Sequence, residues 1–205
     1  LTSKPYAFVA RPWELKKTES IDVMDAVGSN IRVDARGREV LRVLPRLHED
    51  VNEEWISDKT RFAVDGLTRK RLDKPFVRRD GKLTQASWAD VLAAVAERLH
   101  ARGGDKIAAI AGDQVDCETM FAMSSLMRTI GSPNMDCRQD GMAFEPGVRA
   151  SYLFNSTIAG IENADACLLI GCNPRQEAAL VNARLRKRWM RGGFKVASVG
   201  PQLDL

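Results

Sequence analysis

Four cysteines, Cys117, Cys137, Cys167 and Cys172, together with His48 and His100, are the side chains in this sequence best suited to bind a soft metal. Iron–sulfur and zinc sites need several thiolates at short, regular spacings such as C-x2-C. No pair here has that spacing, and no cysteine occurs before Cys117. Cys167 and Cys172 fall in Ala166-Cys-Leu-Leu-Ile-Gly-Cys172, an apolar run that reads as a strand. An odd separation on a strand puts two side chains on opposite faces, so the two thiols are not expected to share a metal. The four cysteines are therefore read as reduced, small hydrophobes, and no metal ligand is assigned.

A second kind of chemistry, anion binding, is suggested by Ile170-Gly171-Cys172-Asn173-Pro174. Here a strand end feeds a helix start, where free backbone N–H groups and the helix dipole favour a phosphate. Asn173 fits as N-cap, Pro174 as first helical residue and Gln176 as capping partner. Gly112-Asp113-Gln114 forms a similar junction. Neither carries G-x-G-x-x-G or a P-loop sequence. Asp113, Asp116 and Glu118 read as helix-capping carboxylates rather than a cation site. Ser124-Ser125 has no nearby histidine for a hydrolytic triad, and Met120, Phe121, Met123 and Met127 read as core filling.

The elements that must position these residues follow from periodicity. Residues 1 to about 18 read as an extended connector, since Pro5 and Pro12 exclude a continuous helix; Tyr6, Phe8 and Trp13 would pack it against neighbouring protein. A small antiparallel unit follows from about residue 20. In it Ile31 and Val33 alternate with Arg32 and Asp34, Arg36-Gly37-Arg38 turns, and Val40 to Leu44 returns. Gly28-Ser29-Asn30 supplies the preceding turn. Asn52 to Phe62 reads as one or two helical turns anchored by Trp55, Ile56 and Phe62. From about Leu83 the pattern becomes α/β. Ser87 caps a helix with Trp88, Val91, Leu92, Val95 and Leu99 on one face, ended by Gly103-Gly104. Lys106 to Ala111 is a strand, Asp116 caps the next helix, and Met135 to Cys137 is a short strand. Cys167 to Ile170, a helix lined by Val181, Leu185 and Trp189, a stop at Gly192-Gly193 and a strand from Phe194 to Val199 complete the series. Such alternation predicts right-handed crossovers and a mainly parallel sheet.

Bulk properties narrow the class. The net charge of +4 is spread among interleaved acidic residues and aromatics are scarce, which argues against a nucleic-acid stripe and for solvated faces or docking on an acidic neighbour. No apolar run approaches the roughly 20 residues that cross a bilayer. No direct membrane insertion is expected.

The opening Leu1-Thr-Ser-Lys-Pro-Tyr-Ala-Phe-Val-Ala-Arg-Pro-Trp-Glu-Leu15, continued through Lys16 to Val33, resembles the large iron–sulfur subunit of respiratory NADH–quinone oxidoreductase, complex I. Asn52 to Gly66, Asp136-Cys-Arg-Gln-Asp-Gly141 and Tyr152-Leu-Phe-Asn-Ser-Thr-Ile-Ala-Gly160 extend the resemblance. It implies a piece of a longer polypeptide, entered just after the last cysteine ligand of an iron–sulfur domain, and the end of the chain just past a strand points the same way. Ile161 to Pro174, with Ala183-Arg184 and Gly192-Gly-Phe-Lys195, looks like the nucleotide-binding stretch of molybdopterin oxidoreductases such as formate dehydrogenase. In that family the next strand ends in an Asp-Pro-Arg-like sequence that helps bind a guanine dinucleotide. Here it reads Val199-Gly200-Pro201-Gln202, with Gly200 in place of the acid and Gln202 in place of the base. The family's β unit holds four cysteines around a cluster, and Ser29 stands about where one would be.

The resemblance thus implies an α/β protein in three parts: a connector over residues 1–19, a small β-rich subdomain over 20–82, and an incomplete Rossmann-like, mainly parallel domain of the molybdopterin-oxidoreductase type over 83–205. It implies a non-catalytic module whose relic cofactor pocket would use Gly112, Gly171, Asn173, Pro174 and Gly200. No cofactor is expected on this chain; the parent subunit would bind 2Fe-2S and 4Fe-4S clusters through upstream residues. Partners would be those upstream domains and other peripheral-arm subunits, on the soluble side of a bacterial or mitochondrial inner membrane. Two rival readings are a piece of an active molybdopterin-guanine-dinucleotide oxidoreductase and a residual nucleotide-binding module.

Overall fold

Strands Lys16–Ile21 (β1), Asn30–Arg36 (β2) and Glu39–Pro45 (β3) make an antiparallel sheet in the order β1-β2-β3. The computed structural model describes residues 4–138, 143, 147–200 and 202–204; Thr2, Ser3, the 139–141 part of one quoted motif and Pro201 lie outside the described residues. Contacts group the chain into two units, residues 1–69 with 147–205, and residues 70–146.

In the first unit, β2, β3 and their turn at Gly37 follow the alternation read from sequence, whereas β1 arises from residues read as connector. Its sequence, Lys-Lys-Thr-Glu-Ser-Ile, has no apolar alternation because it is a solvent-facing edge, where polar and lysine-rich strands are the rule. Asp34 also departs from the expected outward face. Its side chain is fully buried, at a register break in β2, between Arg32 Nε at 2.8 Å and Arg42 Nε at 2.7 Å. Burial alone would raise its pKa, but the hydrogen bonds from the two guanidiniums outweigh that and hold it below the ordinary carboxylate value. Arg42 also stacks over the buried ring of Tyr6, 4.5 Å from its centroid. Tyr6 thus packs on this chain's own sheet, while Phe8 and Trp13 stay exposed.

The segment after β3 is organised by polar rather than apolar anchors. Trp55 and Phe62 are exposed, and the buried residues are Asn52, Ser57 and Thr60. Asn52, 1% exposed, accepts from the Asn30 N–H at 2.9 Å and donates to the carbonyls of Arg46 and Trp55 at 3.0 Å and of Glu53 at 3.2 Å. One amide side chain therefore replaces the backbone ladder that an irregular loop cannot make. Ser57 caps helix Asp58–Phe62 (α1), accepting from the Thr60 N–H, and the Thr60 hydroxyl donates to Asp22 at 2.6 Å.

The rest of this unit is built from strand Ala166–Ile170 (β8) and strand Lys195–Val199 (β9), paired in parallel over five residues. Between them lie helices Pro174–Glu177 (α4) and Ala179–Met190 (α5). The single expected helix is interrupted at Ala178, whose φ of −148° and ψ of 67° are not helical. Ile161, Leu169, Leu185 and Phe194 form the core, with Cys167, Cys172 and Val181 packed against it. Trp189 is exposed rather than core-facing.

The second unit contains a hairpin, Phe76–Arg79 (β4) with Lys82–Gln85 (β5), in a stretch to which the sequence pattern assigns no strands. Its turn is Asp80-Gly81, both at positive φ, the pattern that matches hairpin twist. Ser87 caps Trp88–His100 (α2) by accepting from the Asp90 N–H, and the helix ends at His100, short of Gly103. Ala109–Ile110 (β6) pairs in parallel with Met135–Asp136 (β7), with Cys117–Thr129 (α3), capped by Asp116, between them. Of the residues expected to fill the core from α3, Met127 is buried, while Met120 and Phe121 are exposed. The β6/β7 and β8/β9 pairs are separate two-stranded parallel sheets.

Removing the Asn52 side chain takes away the partner of the Asn30 N–H and of the Arg46 and Trp55 carbonyls, while the Glu53 carbonyl keeps the His48 N–H. Asn52→Ala is expected to lower stability by about 2–4 kcal/mol, read from urea unfolding, since each orphaned group costs about 1–3 kcal/mol. A loss below about 0.5 kcal/mol would remove Asn52 from its central place.

Candidate functional site

The β8–α4 junction brings together four of the five residues singled out for a pocket. Gly171 has φ +61° and donates its N–H to Val199 O at 2.8 Å; Gly200 has φ +138°, and a Cβ built there would sit 3.6 Å from Gly171 Cα. The positive φ at both positions is what favours glycine where the two strand ends meet; the 3.6 Å approach itself is ordinary contact. Asn173 caps α4, accepting from the Arg175 N–H at 3.2 Å, and Pro174 is buried at the first helical position. Gly112 follows β6 in the other unit.

The electrostatics of this junction oppose an anion. The Asn173 N–H already donates to Glu177 Oε1 at 3.0 Å, so Glu177, not Gln176, completes the cap. The Arg175 guanidinium is engaged by Asp204 Oδ2 at 2.5 Å. Two carboxylates of the chain itself thus pair with this amide and this cation, the second in a solvent-exposed ion pair. With only four residues, α4 also supplies little dipole.

The cysteine geometry differs from the strand reading. Cys172 lies beyond β8, because the left-handed turn at Gly171 ends the strand, and both Cys167 and Cys172 pack against the same core cluster. Burial pushes the Cys167 thiol pKa up, helped by the neighbouring Cys172, which suits an inert thiol rather than a nucleophile. Among the described residues no group of three or more histidine, cysteine or acidic side chains is placed to hold a metal.

The strongest cluster of charge lies elsewhere, at residues that no sequence motif marks as a site. Arg184, 6% exposed on α5, pairs with Glu162 and with Glu53 at 3.1 Å, and donates to the Glu49 carbonyl. Lys187 bridges Glu53 and, at 2.8 Å, Glu162; Arg191 reaches Glu162 at 2.6 Å. Arg188 donates to Ala164 O at 2.8 Å and lies over the Phe194 ring. The basic run from Arg184 to Arg191 is thus largely spent inside the molecule, clamping the 48–53 loop to α5. Hydrogen bonding from Lys187, then from Arg184 and Arg191, overcomes desolvation and holds the Glu162 carboxyl down at about 2. The signal is present in principle, as a helix rich in i, i+3 and i+4 cations facing acidic loops, but nothing local in sequence names its partners, which lie as far as 135 residues away.

Comparison with known proteins places these features. The family model described as Molybdopterin oxidoreductase matches residues 71–205, and the one described as NADH-ubiquinone oxidoreductase NDSU1/NuoG-like, 4Fe-4S domain, matches residues 15–65. The chain belongs to the molybdopterin oxidoreductase family. Within it the chain sides with the large iron–sulfur subunits of NADH–quinone oxidoreductase. It is 54% identical to the mitochondrial NADH-ubiquinone oxidoreductase 78 kDa subunit of Candida albicans, over 100% of this chain and 29% of that protein. It is 52% identical to an NADH-quinone oxidoreductase subunit of Rickettsia felis, over 98% of this chain and 30% of that protein. It is 54% identical to the mitochondrial NADH dehydrogenase (ubiquinone) iron-sulfur protein 1 of Solanum tuberosum, over 100% of this chain and 28% of that protein. The chain therefore spans less than a third of the curated relatives it matches.

The 4Fe-4S description can be tested against the residues present. Residues 15–65 contain no cysteine and one histidine, His48, so the donor set of a cluster is missing from the matched stretch. Ser29 is 1% exposed at the turn before β2, and its carbonyl accepts from the Asp22 N–H at 2.8 Å.

Two measurements check the clamp. Arg184→Leu takes the buried shared partner from Glu162 and Glu53, which keep Lys187 and, for Glu162, Arg191. It is expected to cost about 1.5–3 kcal/mol, the range for hydrogen bonds to charged groups, whereas Arg186→Ala on the exposed side should stay within about 0.5 kcal/mol. For pH, the folded Glu162 pKa of about 2 lies below its ordinary 4.5, so its stabilisation is complete above that ordinary value and is lost as pH falls toward 2. Glu162→Gln should flatten the acid limb of the stability–pH curve in that window; an unchanged limb refutes the assignment.

Proposed function

We propose that this chain is a structural, non-catalytic part of the large iron–sulfur subunit in the peripheral arm of complex I. It would brace upstream 2Fe-2S and 4Fe-4S domains that carry electrons from NADH toward quinone, and dock neighbouring subunits. The observation that carries this reading is the state of its two inherited sites. The 4Fe-4S-type stretch has no thiolate, and at the strand-to-helix junction of the molybdopterin-type body the Asn173 N–H and the Arg175 guanidinium are paired with Glu177 and Asp204. Gly171, Asn173, Pro174 and Gly200, with Gly112, are read as remnants of a dinucleotide pocket, the connector as residues 1–19 and the β-rich part as 20–82. No helix among the described residues is long and apolar enough to cross a membrane, which suits a part held on the soluble side of the membrane by its partners.

The left-handed backbone of Gly171 and Gly200 at the adjoining strand ends favours one rival, a residual nucleotide-binding module. Thermal shift separates the two readings: a ligand at 100 times its Kd would stabilise the fold by about 2.7 kcal/mol, and guanine nucleotides and NADH are expected to give no shift. The scaffold reading is tested by metal and pterin analysis of this chain beside the whole subunit. Iron in the whole subunit alone, without molybdenum, is the expected result. Stoichiometric iron in this chain after anaerobic reconstitution overturns it, as does molybdenum in the whole subunit.

A further inference from the structure

We infer that the β4–β5 hairpin and the segment leading into it form a docking surface for an acidic segment of a neighbouring polypeptide. Residues 70–82 hold six cations, Lys70, Arg71, Lys74, Arg78, Arg79 and Lys82, against two acids, Asp73 and Asp80. Their balance of +4 equals that of the whole chain. All six cations are exposed. The basic run of α5 is taken up by Glu53 and Glu162, but among the described residues none of these six is ion-paired with a carboxylate. Arg79 and Lys82 are register partners on either side of the Asp80-Gly81 turn. Like charges directly opposite destabilise a strand pair, so the hairpin tip gains from an anion that it does not itself supply.

Large apolar side chains lie among these charges. Leu72 is 91% exposed, Leu83 64%, and Trp88 at the start of α2 67%. With Pro75, Phe76 and Val91 they line an open cavity of about 500 Å³, whose wall also carries Asp73 and Lys74. An exposed apolar patch rimmed by polar groups marks an interaction site rather than a solvated face. An apolar centre with a charged rim is the composition of an interface between separately folded chains, since a core within one subunit rarely takes in unpaired cations. That the occupant is a neighbouring polypeptide rests on the scaffold role proposed above. Charge complementarity makes it acidic, with an apolar residue between its carboxylates to enter the cavity. A phosphate backbone or an anionic membrane face, negative at every step, would also meet Asp73 and Asp80. A polypeptide can set its carboxylates against the cations alone.

The test is carbodiimide cross-linking of the intact complex, read by peptide mass spectrometry. The reagent joins an amine to a carboxylate only where the two touch, and Lys187 with Glu162, at 2.8 Å, is the internal control. Lys70, Lys74 or Lys82 is expected to link to an aspartate or glutamate of a different polypeptide. Lys82→Glu sets opposite charges across the hairpin, so the melting temperature of the whole subunit should stay unchanged or rise. The same substitution should weaken retention of the linked polypeptide about tenfold or more, since like charges across an interface are costly. With the Lys187 link present, no link from the three patch lysines, or links only within the same subunit, overturns the surface. Retention unaltered by Lys82→Glu overturns it as well. So does binding of the whole subunit to phosphatidylserine vesicles that Lys82→Glu abolishes, since the occupant is then a membrane. A chain absent from the purified complex refutes the scaffold role and the surface together, whereas a chain present but unlinked refutes the surface alone.

Discussion

The guanidinium of Arg184 is the constraint on which the larger unit depends. It joins segments distant in sequence, because α5 packs on the β8/β9 sheet while Glu49 and Glu53 belong to the loop that closes the antiparallel sheet. A cation that is 6% exposed must be matched where it lies, and Glu162, Glu53 and the Glu49 carbonyl do so together. Arginine suits this place because its planar fork can satisfy several acceptors from different elements at once. Buried ion pairs are weak sources of net stability, but they are intolerant of the wrong partner. The consequence here is registration: the loop can seat on α5 in one way.

The same loop is held from its inner side by Asn52, which spreads four hydrogen bonds over Asn30, Arg46, Glu53 and Trp55. Glu53 is at φ +49°, an uncommon conformation for a residue with a Cβ. It tolerates that because its N–H and C=O pair with His48 and its carboxylate pairs with Lys187 and Arg184. Polar contacts, more than apolar burial, thus fix the irregular part of this unit. That fits a molecule whose fully buried side chains of greatest volume include Asn52 and Asp34.

Legibility in sequence follows the range of the interaction. Caps at Ser87, Asp116 and Asn173 are local, and the structure has each of them. The β2–β3 alternation is readable for Ile31 and Val43 but fails at Asp34, because two arginines and a register break turn a charge inward. The β4–β5 hairpin carries its own signal, Asp80-Gly81, but no apolar alternation flanks it to give that turn its context. Hydrophobicity points to Trp55 and Phe62 as anchors, whereas the segment is pinned by Asn52 and by Asp22–Thr60. At the candidate site the glycines are legible, since a strand-to-helix turn demands them. The pairing of Glu177 with the Asn173 N–H and of Asp204 with Arg175 is not, since only the fold brings Asp204 to Arg175.

A metal cluster and a buried polar network answer one problem in different ways. Each ties chain segments that are too irregular to hydrogen-bond to one another and too few to bury much apolar surface. A cluster does it with thiolates on one rigid centre. In residues 15–65 the ties are instead Thr60 to Asp22, Ser57 to Thr60 and Asn52 to four backbone groups. Such bonds are directional but replaceable one at a time, so a fold resting on them can retain its shape through substitutions that a cluster site would not survive. At the β8–α4 junction the glycines take left-handed backbone and the neighbouring Arg175 pairs with Asp204 of the same chain. At both places backbone geometry and hydrogen bonding account for the arrangement of these residues.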